Sequence, residues 1–308
     1  MAAGGCHKAA ATAISGARTR REASKATEEC KATHPPLAPA ADRRVRTRRS
    51  AATHPPHGVE KEAPHTKTTT TRQDRVARCD FTFEERRAIL IRPDEGMSNG
   101  KWLLKTEYFD AFPELEAAMV AEGYHLAYLE NRNRWGTDDD LAAKRRFRDF
   151  LMRECGLDPR CVLVGMSCGG LHAVKQAARY PEMVSAMYLD APVLNILSCP
   201  FGMGAGCDCD DSVREEALSA LGLTRSQLLA YRDHPLDNLG RLVAAHIPAL
   251  LVCGDADMSV PPEENGLLLK AAYEQAGVPL LFMLKPGCGH HPHGPSDMAK
   301  ALEFLRAW

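Results

Sequence analysis

No stretch of eighteen apolar residues occurs in this 308-residue chain, so no membrane-spanning helix is read from it. Aromatic residues are scarce at 6% against 44% hydrophobic residues, which points to an aliphatic core of the α/β kind. A single sign of charge is also missing. The formal net charge is −1, yet residues 1–78 hold sixteen Lys and Arg against seven Asp and Glu, and the remainder twenty-three against thirty-three. No one-sign field covers the whole protein, which argues against nucleic-acid binding by the folded part. The first 25 residues lack the apolar core of a secretory leader. Their Ala, Arg, Ser and Thr suit an organelle transit peptide, but Glu22, and Glu28 and Glu29 just beyond, do not.

The eleven cysteines have no repeated spacing, and Cys161 and Cys253 fall in strand-like runs. That pattern fits small buried apolar residues in a reducing compartment rather than a disulfide framework. The expected location is cytoplasmic. Cys207 and Cys209 have no second ligand pair at metal spacing nearby and read as loop. Large apolar residues are rare before residue 79, where "THPP" occurs twice and "TKTTTTR" follows. Residues 1–78 are expected to be a disordered basic extension, because they cannot bury enough surface to offset chain entropy. Residues 79–308 are expected to form one domain.

From there strands and helices alternate. "RAILIRP" reads as a strand with a hairpin partner in "DFTFEE". "FPELEAAMVAEG" reads as a helix and "YHLAYLE" as a strand. The next helix has Thr137 and Asp140 as a capping box and Gly156 as its stop. Its Lys144, Arg145, Arg146 and Arg148 read as a solvated face or an anion grip. "CVLVGM", "VSAMYLD", "ALLVCG" and "PLLFML" are further strands, each followed by helical pattern. Continuous apolar strands with helical crossovers predict a mostly parallel, doubly wound α/β sheet. An insertion of about 198–238 breaks the alternation. Its two short helices, with capping boxes Ser212–Glu215 and Thr224–Gln227, are expected to form a lid.

The chemistry gathers at strand ends. Gly165-Met166-Ser167-Cys168-Gly169 is a G-x-S-x-G between a strand and a helix, the context in which a serine is presented as a nucleophile. Gly165 and Gly169 leave room for strand and helix to approach. The N–H of Cys168, at the helix N-terminus, is the expected oxyanion donor. An acid follows a later strand, Asp255 or Asp257, with Asp190 as a further possibility. His290, His291 and His293 follow the last strand. Ser, Asp and His in this order make a triad. Asp257, two places further into its loop than Asp255, is the preferred acid. His172 reads as structural. Cys168 and Cys288 are secondary nucleophile candidates. Three histidines with two aspartates would also suit a metal-dependent hydrolase, but three within four residues rarely point at one centre.

At these residues the chain, from about 86 to 308, resembles the α/β-hydrolase superfamily. "GDADMSVP" resembles the family's acid loop, which implies Asp257. "GCGH" resembles the G-x-G-H of its base loop, which implies His290. "YLDAPV", "PPEEN" and "GHHPH" are similar to a bacterial branch of small esterase-like members. The family's His-Gly, where a second oxyanion donor resides, is absent from "RPDEGMSNGKWLL", and Trp102 or a neighbour is expected to supply that donor instead. The implied activity is serine hydrolysis through an acyl-enzyme with no cofactor and no metal, on a small-molecule ester, small or carbohydrate-linked. The "NRNRWGT" loop, Asn131 to Thr137, is expected near the substrate. The alternatives are a serine peptidase of oligopeptidase type and a catalytically inactive binding protein.

Overall fold

The computed structural model describes residues 69–73, 76–206 and 209–308, all within the unit Ala63–Trp308. Nine strands form one sheet: β1 (Thr69–Gln73), β2 (Val76–Phe83), β3 (Arg86–Arg92), β4 (Trp102–Lys105), β5 (His125–Leu129), β6 (Cys161–Met166), β7 (Val184–Asp190), β8 (Ala249–Gly254) and β9 (Leu280–Lys285). Their order is β1-β2-β3-β5-β4-β6-β7-β8-β9. The first three strands run antiparallel to their neighbours, and β5 through β9 are parallel. The doubly wound sheet is as expected, including the β2–β3 hairpin. The anticipated boundary at Cys79 falls inside β2. Strand β1 has no apolar alternation to reveal it, since "TTTRQ" pairs with β2 through its backbone. The expectation for residues 1–68 lies outside the described residues.

Side chains alternate across each parallel strand and build two cores. Leu103, Val164, Tyr188 and Leu250 face helices α1 (Glu114–Ala121) and α8 (Met298–Arg306). Leu104, Leu163, Leu189 and Leu251 face α2 (Asp138–Cys155), α3 (Cys168–Arg179) and α7 (Gly266–Ala276). Each parallel strand is thus covered on both sides, which is why its sequence is an unbroken apolar run.

The insertion carries α4 (Asp211–Leu221) and α5 (Arg225–Leu228), then an unanticipated short helix α6 (Leu239–Ala244). Thr224 and Gln227 form their capping box. The box expected at Ser212 does not form. Asp210 caps α4 instead, accepting from the Ser212 N–H at 2.8 Å. Nor does the Thr137 side chain cap α2: the Asp140 carboxylate is drawn away to the Arg132 N–H at 2.7 Å and the Arg86 guanidinium at 2.6 Å. Ala217, Leu218 and Leu228 of the insertion pack with Trp135, Leu171 and Val193 in a third apolar cluster.

A buried ion pair lies at the end of β4. Lys105, the last residue of β4, donates to Glu116 Oε1 and to the Ala111 carbonyl, each at 2.5 Å. Both side chains are essentially buried. Burial pushes the Glu116 carboxyl up, and the Lys105 charge opposes that. The pair ties the loop after β4 to α1. Removing one partner of such a pair strands a buried charge, at about 3–5 kcal/mol, whereas replacing both by apolar residues is often neutral. Urea unfolding should therefore show Lys105→Met destabilised by about 3–5 kcal/mol. The double variant Lys105→Met/Glu116→Leu should recover most of that loss. A double variant no better than the single one would show that the pair itself, rather than its satisfaction, holds the loop.

Candidate active site

Strand β6 delivers Ser167 into a sharp turn that opens α3. Its φ of 51° and ψ of −121° lie in a region non-glycine residues rarely occupy. Surrounding contacts hold it there: Ser167 N–H donates to the Asp190 carbonyl at 3.0 Å, and its own carbonyl accepts from Gly170 and Val193. Strand and helix approach so closely that a Cβ on Gly165 would lie 2.5 Å from the Gly169 carbonyl oxygen. A Cβ on Gly170 would lie 2.4 Å from Pro192, while one at Gly169 would sit 3.2 Å from its nearest neighbours. Gly170 is thus the tighter of the two downstream glycines.

The loops after β8 and β9 bring the other partners. His290 Nε2 lies 3.0 Å from Ser167 Oγ, and His290 Nδ1 lies 2.7 Å from Asp257 Oδ2. Asp257 is buried, and its Oδ1 accepts from the N–H groups of Ser259 and Val260 at 2.9 Å each. Ser167, His290 and Asp257, singled out in the sequence, thus form one hydrogen-bonded chain. Asp255 stands apart and accepts from Gly287 N–H at 2.6 Å, joining the two loops. Asp190 is also separate from His290. It accepts from His293 Nδ1 at 2.9 Å, Gly294 N–H at 2.6 Å and the Tyr188 hydroxyl at 2.8 Å. Burial would raise the Asp190 carboxyl, but His293 and the other donors hold it below its ordinary value.

His290, His291 and His293 do converge, contrary to the sequence expectation. One ring nitrogen from each lies within 4.8 Å of the others. Of the Cys207–Cys209 pair, Cys207 lies outside the described residues. The Cys168 thiol is pushed up to about 11 by burial, so at neutral pH it is protonated and a poor nucleophile. Cys288 forms no part of the Ser167–His290–Asp257 chain; its carbonyl accepts from Ala256 N–H. His172 is fully buried, its Nε2 3.1 Å from the Asn133 carbonyl and 3.2 Å from Gly136 N. Burial holds it well below the usual histidine value, and its role is to brace that loop.

The Cys168 N–H stands at the first position of α3, beside Ser167. Trp102 is not at the site. It opens β4 beside His125, and its ring N–H donates to the Asp158 carbonyl, at the amino edge of the sheet. Ser167 lies beyond the carboxyl end of β6, the opposite edge. The segment that reaches Ser167 from β4 is Thr106–Glu107–Tyr108. Thr106 Oγ1 donates to the Gly169 carbonyl at 2.7 Å, and Tyr108 has a φ of 52°.

Behind that turn lies a network missed in the sequence. Asn131 donates to the Thr106 carbonyl at 2.7 Å and to the Glu107 carboxylate, and Lys144 donates to Asn131. Burial pushes Glu107 up, against the pull of Asn131 and Lys144. Its signal was the charged "KTE" closing an apolar strand. Lys144 is neither solvated nor part of an anion grip, and burial depresses it to about 8. Its helical neighbours are engaged elsewhere: Arg146 with Glu84, Arg148 with Asp149 and Arg145 over the Tyr180 ring. In the "NRNRWGT" loop Trp135 is buried, and Arg134 and Trp135 both donate to Glu216 of α4, at 3.1 and 3.2 Å.

No family model matches the chain. Among solved structures it is similar to a puromycin hydrolase at 20% identity and a TM-score of 0.57, covering 80% of this chain and 39% of that one. A puromycin-hydrolyzing peptidase of Mycobacterium tuberculosis is 17% identical with a TM-score of 0.55, covering 80% and 40%. An acylaminoacyl peptidase is 14% identical with a TM-score of 0.55, covering 78% and 41%. The chain therefore spans about two fifths of the length of each of these proteins. Among the described residues no helix is long and apolar enough to cross a membrane.

The depressed Lys144 has a measurable consequence. Between about 8 and its ordinary 10.5 the unfolded chain holds a proton that the folded chain has released. Stability then rises with pH across that window, and the penalty is complete below it. The unfolding free energy of the native chain, relative to Lys144→Met, should increase from pH 8 to pH 10. A flat difference would mean Lys144 keeps an ordinary affinity for its proton. Sheet order, two-sided covering and the serine turn at the end of β6, together with these neighbours, identify the fold as that of the α/β-hydrolases.

Proposed function

We propose that this protein is a serine hydrolase that cleaves a small amide or peptide substrate through an acyl-enzyme. The observation that carries the reading is the unbroken hydrogen-bonded chain from Asp257 through His290 to Ser167. Ser167 Oγ attacks the substrate carbonyl carbon while His290 Nε2 takes the hydroxyl proton. Asp257 accepts from His290 Nδ1, fixes the tautomer and supports the imidazolium. The oxyanion is received by the Cys168 N–H and by an N–H of the Glu107–Tyr108 turn, which replaces the role expected of Trp102. The imidazolium then protonates the departing amine. Water, deprotonated by His290, hydrolyses the acyl-serine and restores the resting state. No step calls for a cofactor.

Peptidases among the similar structures favour an amide over the ester expected from the sequence. The insertion, pinned to the "NRNRWGT" loop through Glu216, stands as a lid beside Ser167 in this reading. With Asn131 and Trp135 committed to internal contacts, that loop offers little for sugar hydroxyls.

A fluorophosphonate probe should label Ser167, located by peptide mapping. Ser167→Ala should lose labelling and turnover, on the scale of the roughly millionfold loss seen when a triad nucleophile is removed. Labelling that survives this change moves the nucleophile elsewhere. Asp257→Asn should fold normally yet lose on the order of ten-thousandfold in kcat, because the wrong histidine tautomer is favoured. Asp255→Asn and Asp190→Asn, each measured per folded molecule, should stay far closer to the native rate. Retained activity in Asp257→Asn with a dead Asp190→Asn would place the acid at the end of β7. For bond type, release of an N-terminal residue from short peptides should depend on Ser167. Cleavage of an alkyl ester with no cleavage of any peptide would return the substrate to the ester class.

A further inference from the structure

The base loop holds more than its reaction needs. His290, His291 and His293 stand edge-on to one another, with ring centroids 5.0, 5.1 and 4.9 Å apart and planes crossing at 70°, 80° and 84°. Two of the three are oriented in the same way. Asp257 accepts from Nδ1 of His290, and buried Asp190 accepts from Nδ1 of His293. A carboxylate on one ring nitrogen fixes the tautomer and makes the other nitrogen, Nε2, the basic one. Metal-binding histidines carry this support. His291 lies against Phe112, their rings nearly parallel at 15° and 5.8 Å apart. Nothing in the hydrolytic cycle uses His291, or explains why a second carboxylate–histidine pair should stand beside the first.

We propose that these three histidines form an inhibitory zinc site. Imidazole nitrogens suit Zn²⁺, and three protein ligands leave its fourth position for water. Zinc holds each nitrogen at about 2.0–2.1 Å, which sets neighbouring nitrogens about 3.4 Å apart. The present limit of 4.8 Å must therefore shrink by about 1.4 Å, and of the three rings His291 is the exposed one. The consequence falls on Ser167. In the resting chain the Nε2 lone pair of His290 faces Ser167 Oγ at 3.0 Å. Zinc takes that lone pair. Ser167 keeps its proton, no base accepts it, and hydrolysis stops until the metal leaves. Asp190 then acts as a positioning residue for the site through His293. The inhibitory outcome rests on Ser167 and His290 being nucleophile and base; the metal site itself does not.

The test uses the full chain, freed of metal with EDTA and dialysed. Zinc is titrated while the rate of fluorophosphonate labelling at Ser167 is followed, each protein compared with its own zinc-free rate. Zinc binding is measured separately by competition with a chromophoric chelator. In the native chain zinc should suppress labelling, and EDTA should restore it. His291→Gln should require at least tenfold more zinc for the same suppression, on the order of the 10–100-fold loss from disturbing a metal histidine's support. Asp190→Asn should shift the midpoint by a similar 10–100-fold where it folds. Labelling insensitive to zinc in the native chain overturns the proposal, and so does His291→Gln with full zinc sensitivity. If Ser167 never labels, the hydrolase reading fails, and the competition still decides the site: weaker zinc binding in His291→Gln supports it, and identical titrations overturn it.

Discussion

Strand β6 and helix α3 cross with no space for a Cβ at Gly165, Gly170 is pressed in turn against Pro192 after β7, and the carboxyl edge of the sheet is arranged around that crossing. The close approach forces Ser167 into its positive φ and lifts its hydroxyl out of the backbone path. The same crossing puts the N-terminus of α3, with its unpaired N–H groups, against the serine. Asp190 closes the arrangement from the neighbouring strand, with its carbonyl on Ser167 N–H and its carboxylate on His293. One residue thus braces both the turn of the serine and the loop of the histidines.

A layer of buried charge supports this edge from beneath. Lys105 and Glu116 fix the start of the loop after β4, and Lys144, Asn131 and Glu107 fix its turn. Arg86 joins the β2–β3 hairpin to Asp140, whose carboxylate also accepts backbone N–H groups from the Asn131–Thr137 loop. Such groups are hard to bury, and Lys105 and Asp140 each have several partners, whereas Glu116 has Lys105 alone and leaves Oε2 unpaired. Lys144 is buried at a cost to its charge, and Tyr108 holds a positive φ at the same edge.

What could be read in the sequence was local or periodic. The apolar runs of β6, β7 and β8 and the serine between a strand and a helix need only nearby residues to be recognised. The order of Ser167, Asp257 and His290 along the chain placed them on successive strand ends, and those loops do meet. Trp102 falls at the wrong end of its strand because β4 is only four residues long and, with no His-Gly to mark the turn, gives no sign of which end faces the serine. Lys105 and Lys144 look like surface residues in sequence, since burial of a charge depends on partners distant along the chain. The meeting of three histidines depends on the path of one irregular loop, which no periodicity encodes. Strand β1 was missed because an edge strand paired through its backbone needs no apolar pattern.

The two loops that carry Asp257 and His290 are stitched together. Asp255 N–H reaches the Lys285 carbonyl, Ala256 N–H the Cys288 carbonyl, and Gly287 N–H the Asp255 carboxylate. At Gly254 a Cβ would stand 2.3 Å from the Cys288 carbonyl oxygen, so the end of β8 meets the loop after β9 without a side chain between them. The acid and the imidazole are thus tied into one unit, and Asp190, with its carbonyl on Ser167 N–H and its carboxylate on His293, ties that unit to the turn of the serine. The 3.0 Å step from His290 Nε2 to Ser167 Oγ, across which the proton has to pass, is therefore spanned by a second set of bonds behind it.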